Sequence, residues 1–173
     1  KGGLAIGTMF MMVAISAMNG LSVAGMAIGA TIALPEMLRR NYDKRMITGV
    51  VQAGSSLGIL IPPSVVMVLY GMIARQPVSK LWMAGILPGL LMAFLFLIYI
   101  YVRCKLQPEL GPPLKKEERS VSTIEKIRLL KAGIIPFLIF FFMTGLFLMG
   151  IASLVECSAV GAFLATLAAI YKK

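Results

Sequence analysis

The sequence contains no histidine, a single aspartate (Asp43), two cysteines and seven acidic residues in a chain of 173. Without histidine, His-based catalysis and His metal ligation are excluded within this chain. An intramembrane protease would need a Ser/His or paired-Asp site, and one aspartate supplies neither. Cys104 and Cys157 lie far apart with no CxxC spacing, so both read as reduced thiols rather than as a disulfide framework. Charge is also scarce: 14% of residues, against about 25% in soluble domains. What is present instead is apolar, 59% hydrophobic with a mean hydropathy of +0.91. Such a composition predicts an all-α integral membrane protein sitting in a lipid bilayer. The chain opens on Lys1 directly before an apolar run with no cleavable-signal layout, and so reads as a piece of a longer protein.

The net charge of +10 does not point to nucleic acid, because the basic residues lie between apolar segments. Those segments run over 4–35, 46–74, 81–102, 134–151 and 152–171, with a polar linker over 103–133. If the last four each cross once, 39–45, the linker and the C-terminal lysines share one side of the membrane. They carry fourteen Lys and Arg, against two (Arg75 and Lys80) on the other side. That asymmetry is the cytoplasmic loop bias of multi-pass membrane proteins.

Two segments resist a simple reading. The first is too long: about 30 helical residues would span roughly 45 Å, while a hydrocarbon core is about 30 Å thick. At its centre lies Asn19-Gly20-Leu21-Ser22, a polar and flexible interruption with Ser22 placed to cap a following helix. Residues 1–38 are therefore expected to form a re-entrant helical hairpin, a long tilted helix being the alternative. The second is 46–74, interrupted by Gly-Ser-Ser-Leu-Gly-Ile-Leu-Ile-Pro-Pro-Ser at 54–64. Pro62 and Pro63 lack the N–H groups that would bond the carbonyls of Gly58 and Ile59, and each restricts its predecessor to extended backbone. This predicts a discontinuous helix with bare carbonyls and a second half starting near Pro63. Such breaks in transporters hold cations on carbonyls and anions on helix N-termini; a plain proline kink is the bland alternative.

The other segments carry less chemistry. Residues 107–113 read as a turn or extended stretch, and 120–131 as a short amphipathic helix at the interface. Span 81–102 has Trp82 near one end and Tyr99 and Tyr101 near the other, as an aromatic belt predicts. Glu156 is the lone acid in its segment. With Ser153 it fits a capping box closing a helix start, the alternative being a role in ion coupling.

Taken in order, several of these motifs resemble one family. They are Asn-Gly-Leu-Ser at 19–22, the run 37–45 ending in Asn-Tyr-Asp-Lys-Arg, Gly-Ile-Leu-Ile-Pro-Pro-Ser at 58–64, Met-Ala-Gly-Ile-Leu-Pro-Gly at 83–89, and 150–162 with its glutamate. Nearly the whole chain is similar to the large membrane subunit of tripartite ATP-independent periplasmic (TRAP) transporters. That resemblance implies a fragment of the ion-transporter-superfamily elevator fold. In it, 1–38 and 46–74 belong to a transport domain, 39–45 is a cytoplasmic loop, and 134–171 is scaffold-like.

The implied function is sodium-coupled import of a small carboxylate solute across the bacterial cytoplasmic (inner) membrane. The implied partners are a periplasmic substrate-binding protein and a small membrane subunit, separate or fused; no cofactor beyond the coupling sodium is implied. Carried over residue by residue, sodium would sit among Asn19, Gly20, Ser22, Gly58, Ile59, Ile61 and Pro63, with solute near Asn19, Ser22 and Ser64. The tip departs from the family's usual Ser-Gly-Ser-Ser, losing two hydroxyls. The family also has a second, inverted hairpin and broken helix that these residues lack. A non-transporting scaffold subunit and a single-chain carboxylate transporter of the same fold are the alternative readings.

The hairpin is testable by cysteine accessibility in the full-length protein. Single cysteines at Gly3 and Asn41 are expected to label from the same membrane face; labelling from opposite faces would make 4–35 a crossing helix.

Overall fold

The computed structural model describes residues 2–112 and 123–171, and all their regular structure is helical. It forms two compact units, 1–116 and 117–173.

In the first unit, α1 (Gly3–Asn19) ends where Gly20 turns left-handed at φ 65° and donates its N–H to the Ser16 carbonyl at 2.9 Å. Glycine adopts that conformation without the cost a side chain would impose. Leu21 is extended, and a second arm follows: α2 (Ser22–Ile28), one π-helical turn (Gly29–Ala33) and α3 (Leu34–Arg39). The π turn has a local cause. Pro35 has no N–H to give the Thr31 carbonyl, and its ring crowds that carbonyl; a wider turn lets the arm continue past it. Ser22 was expected as the cap of this arm, but it is its first helical residue. The capping position is Leu21, with no side-chain hydrogen bond, because the glycine turn itself reverses the chain.

Both ends of this hairpin meet one short segment further along the chain, 110–111. The Gly2 N–H donates to Gly111 O at 3.0 Å, and the Asp43 N–H to Leu110 O at 3.4 Å. The tip at Gly20 therefore lies at the far end of the unit from both.

Asp43 then caps α4 (Lys44–Ser56), accepting the N–H groups of Arg45 at 2.9 Å and Met46 at 3.3 Å. A 3-10 turn over Leu57–Ile59 and an irregular stretch to Ser64 separate α4 from α5 (Val65–Ala74). The run 46–74 is thus two half-helices. The second starts at Val65 rather than near Pro63, since the Ser64 hydroxyl accepts the Met67 N–H at 3.3 Å and fixes the helix start there. Arg75, left-handed at φ 51°, closes α5, and α6 (Val78–Leu106) runs back. Its 29 residues make it the described helix long and apolar enough to cross a membrane; shorter apolar helices include Gly3–Asn19, Val65–Ala74 and Leu154–Ile170.

The hairpin packs on α4 through glycines. A Cβ at Gly54 would stand 2.5 Å from Met12 Cβ, and one at Gly29 would stand 2.7 Å from Val51 Cγ1; between the hairpin's own arms, one at Gly25 would collide with the Ser16 hydroxyl. Met9, Met37, Ile47 and Leu57 fill the remaining core. Between apolar helices in lipid, hydrophobic transfer contributes little; close backbone approach and van der Waals contact hold them together.

The second unit pairs α7 (Thr123–Leu148) with α8 (Leu154–Tyr171). Gly161 lies against Met143. At the start of α8, Ser153 N–H and Oγ donate to Glu156 Oε2 at 2.7 and 2.8 Å, and the Glu156 N–H donates to Ser153 Oγ at 3.3 Å, a reciprocal capping box. The expected amphipathic helix over 120–131 falls partly outside the described residues. From Thr123 onward it is no separate element but the opening of α7, which passes Gly133 and Pro136 without ending. A lone helical glycine costs only about 1 kcal/mol, too little to stop it.

Replacing Gly25 by Ala in the full-length protein is expected to destabilise it by about 1–3 kcal/mol, the usual penalty of overpacking. Adding Ser16→Gly should recover most of that loss. Thermal unfolding of the two singles and the double checks the coupling; additive effects would mean that the two positions do not press on each other.

Candidate functional site

The tip of the hairpin seats on the break in α4–α5. The first N–H groups of a helix have no partner within it. At the start of α5, Val65 donates its N–H to the Gly20 carbonyl at 3.2 Å, while Met67 is held by the Ser64 hydroxyl. The approach is close: a Cβ at Gly20 would stand 2.5 Å from Pro63 O. One turn below, a Cβ at Gly58 would stand 2.6 Å from Ser16 O. On the other side of the break lies α6. Cβ atoms at Gly85 and Gly89 would stand 2.5 Å from Leu60 O and 2.7 Å from Ile61 Cγ1, and the Trp82 indole N–H donates to Ser64 O at 3.3 Å. The unwound segment is therefore sandwiched between α1 and α6. The Pro62–Pro63 peptide within it is cis.

Carbonyl accounting separates the residues expected to bind. The Ile59 oxygen accepts the Ser64 hydroxyl at 2.6 Å, and Leu57 O accepts the N–H groups of Leu60 and Ile61 at 3.0 and 2.8 Å. No described residue donates a hydrogen bond to the carbonyls of Ile61 or Pro63. Gly20, Pro63 and Ser64 are brought together, and Gly58 lies beneath them against Ser16. Ile59 turns its oxygen to Ser64. Asn19 is exposed at the tip, and its side-chain amide folds back to the Ile15 carbonyl at 2.9 Å. Ser22 is half-buried, and its hydroxyl meets no hydrogen-bonding partner among the described residues.

Such a contact offers neutral carbonyl oxygens rather than acids. Among the described residues there is no cluster of three or more His, Cys, Asp or Glu. That donor set suits a hard monovalent cation better than zinc or a transition metal. Two free carbonyls form part of a coordination shell, not a whole one.

Some participants were not singled out by sequence reasoning. Ser16 and Ser55 are fully buried behind the tip; Ser55 Oγ donates to Val51 O at 2.6 Å, whereas Ser16 Oγ has no partner among the described residues. Neither serine carries a signal that distinguishes it from a packing residue. Trp82, expected in an interfacial belt, is buried with its N–H on the break. Here the small-xxx-small pair Gly85 and Gly89 was a readable sign of close helix packing.

In comparison with known proteins, the sequence matches the DctM component of the tripartite ATP-independent periplasmic transporter across residues 1–173. The chain belongs to this family. It is similar to the C4-dicarboxylate TRAP transporter large permease protein DctM of Pseudomonas aeruginosa, 39% identical over 102 residues, which are 59% of this chain and 24% of that protein. The Ectoine/5-hydroxyectoine TRAP transporter large permease protein UehC of Ruegeria pomeroyi is 36% identical over 103 residues, 59% of this chain and 24% of its own length. The Isethionate TRAP transporter permease protein DctMQ of Oleidesulfovibrio alaskensis is 35% identical over 100 residues, 58% of this chain and 16% of that protein. These alignments thus span a quarter or less of each DctM-family relative. No solved structure matches.

Gly20→Ala in the full-length DctM-family protein is expected to lower stability by about 1–2 kcal/mol from the left-handed backbone alone. Contact with the rigid Pro63 carbonyl should add to that. Gly3→Ala, which meets nothing within 4 Å, is the control. A loss no larger than that backbone penalty, measured from the thermal midpoints, would show that the tip does not seat on the break.

Proposed function

We propose that this chain supplies one of the two paired-tip elements of a TRAP permease that imports a small carboxylate solute with sodium by an elevator movement. A periplasmic binding protein delivers the solute, and a small membrane subunit, separate or fused, completes the complex in the cytoplasmic membrane. The observation that carries this reading is the Gly20–Val65 hydrogen bond, with the carbonyls of Ile61 and Pro63 left unbonded beside it. Oxygens freed at a helix break and enclosed by protein are the means by which ion-coupled transporters hold a cation near the membrane midplane. No side chain at this contact is ionisable, which favours sodium over a proton as the coupling ion. Gly20, Gly58, Ile61 and Pro63 are the positions assigned to the ion, and Asn19, Ser22 and Ser64 line the approach of the solute. The solute class is inferred from the names of relatives that include permeases for C4-dicarboxylates and ectoine.

The test is uptake by the full-length permease reconstituted with its partner proteins in liposomes. An inward sodium gradient should drive accumulation, and replacing sodium by potassium should abolish it. Gly58→Val places bulk against the Ser16 backbone and should reduce uptake on the order of tenfold or more, since ångström displacements of binding groups cost about that much or above. Sodium-independent uptake would remove the coupling assignment. Normal uptake by Gly58→Val would leave this region a scaffold, and uptake without the binding protein would favour a single-chain transporter.

A further inference from the structure

At the end of the first unit away from the tips, α4 and the last turns of α6 wall a cleft of about 700 Å³. Its polarity runs along its length. At the hairpin-base end the lining is Arg45 from α4, Arg103 from α6 and Gln107 just after α6 ends. Toward the tips it becomes apolar, through Met46, Val50 and Ala53 on one wall and Phe96 on the other. The ten residue steps from the capping Asp43 to Ala53 in α4 give this gradient a length of roughly 15 Å.

Arg103 is the informative residue. A guanidinium is always charged and has five N–H donors, yet its Nε is buried with no hydrogen-bond partner among the described residues. Asp43 also lines the cleft, but its Oδ1 is engaged by the N–H groups of Arg45 and Met46 at the start of α4. That oxygen is thus occupied in capping. The cleft combines unmet cationic donors at one end with an apolar channel leading from them. A free inorganic anion would match the first and leave the second wetted; a soluble apolar molecule would do the reverse.

We propose that the cleft holds one anionic phospholipid, its phosphate between Arg103 and Arg45 and an acyl chain along Met46, Val50 and Phe96. Basic pockets between membrane helices recognise anionic headgroups in this way. The same phosphate chemistry could come from a soluble anion, and the experiment separates the two.

Native mass spectrometry of the full-length permease, extracted in mild detergent, reads the bound species directly. With equimolar phosphatidylglycerol and phosphatidylcholine added, the protein should retain phosphatidylglycerol preferentially. Arg103→Gln should cut the retained fraction roughly fivefold, the loss expected for one basic contact, while Arg103→Lys should keep most of it at unchanged thermal stability. Ala53→Trp, which fills the apolar channel and leaves both arginines, should also displace the lipid. Equal retention of the two lipids, no retained lipid at all, or an unaffected Arg103→Gln variant would overturn the assignment. Displacement of phosphatidylglycerol by millimolar inorganic phosphate would overturn it in favour of a soluble anion.

Discussion

A peptide group in an apolar surrounding must find a hydrogen-bonding partner, and the architecture of the first unit follows from that requirement at one place. Between Leu57 and Ser64 the chain stops being α-helical, and several N–H and C=O groups lose their usual partners. Local bonds satisfy some: Leu57 takes two N–H groups, and Ser64 answers both Ile59 and Met67. The rest need neighbours. Gly20 reaches in from the hairpin and Trp82 from α6. A break of this kind cannot stand alone, which is why a hairpin turn and a tryptophan-bearing helix are pressed against it.

Close approach sets the second condition. Gly20, Gly58 and Gly85 each sit where an added methyl would stand 2.5–2.6 Å from a backbone oxygen. Backbone oxygens do not move aside as flexible side chains can. Along the arms the neighbours are mixed: Gly29 meets the flexible Met12 Cε end together with the stiffer Val51 Cγ1, while Gly54 faces Met12 Cβ, which is held by its backbone. Rigid contacts with backbone oxygens lie at the tip and the break, and side-chain contacts lie along the arms.

Much of this was legible in the sequence, and the failures share a cause. Pro62 and Pro63 announce the break because their missing N–H groups are covalent facts. Gly20 directly after the polar Asn19 announces the reversal, and Ser153 with Glu156 announces a helix start, since those signals act within four residues. What the sequence concealed depends on neighbours distant along the chain. Trp82 has the composition of an interfacial anchor until the Ser64 carbonyl is known to lie beside it. Ser22 has a capping residue's chemistry, yet the geometry of Gly20 made the cap unnecessary. The π turn was foreshadowed by Pro35, but only its success in continuing the arm tells a bulge from an ending. At α7 the pattern suggested two elements because amphipathicity changes there, while the backbone has no reason to stop.

The left-handed residue Arg75 acquires a meaning from these contacts. A hairpin stitched to a neighbour by interlocked glycines and a cross-tip bond has few soft internal degrees of freedom. α6 belongs to the same body, since Gly85, Gly89 and the Trp82 N–H hold it on the break. The left-handed Arg75 therefore lets the chain reverse within three residues without leaving that body.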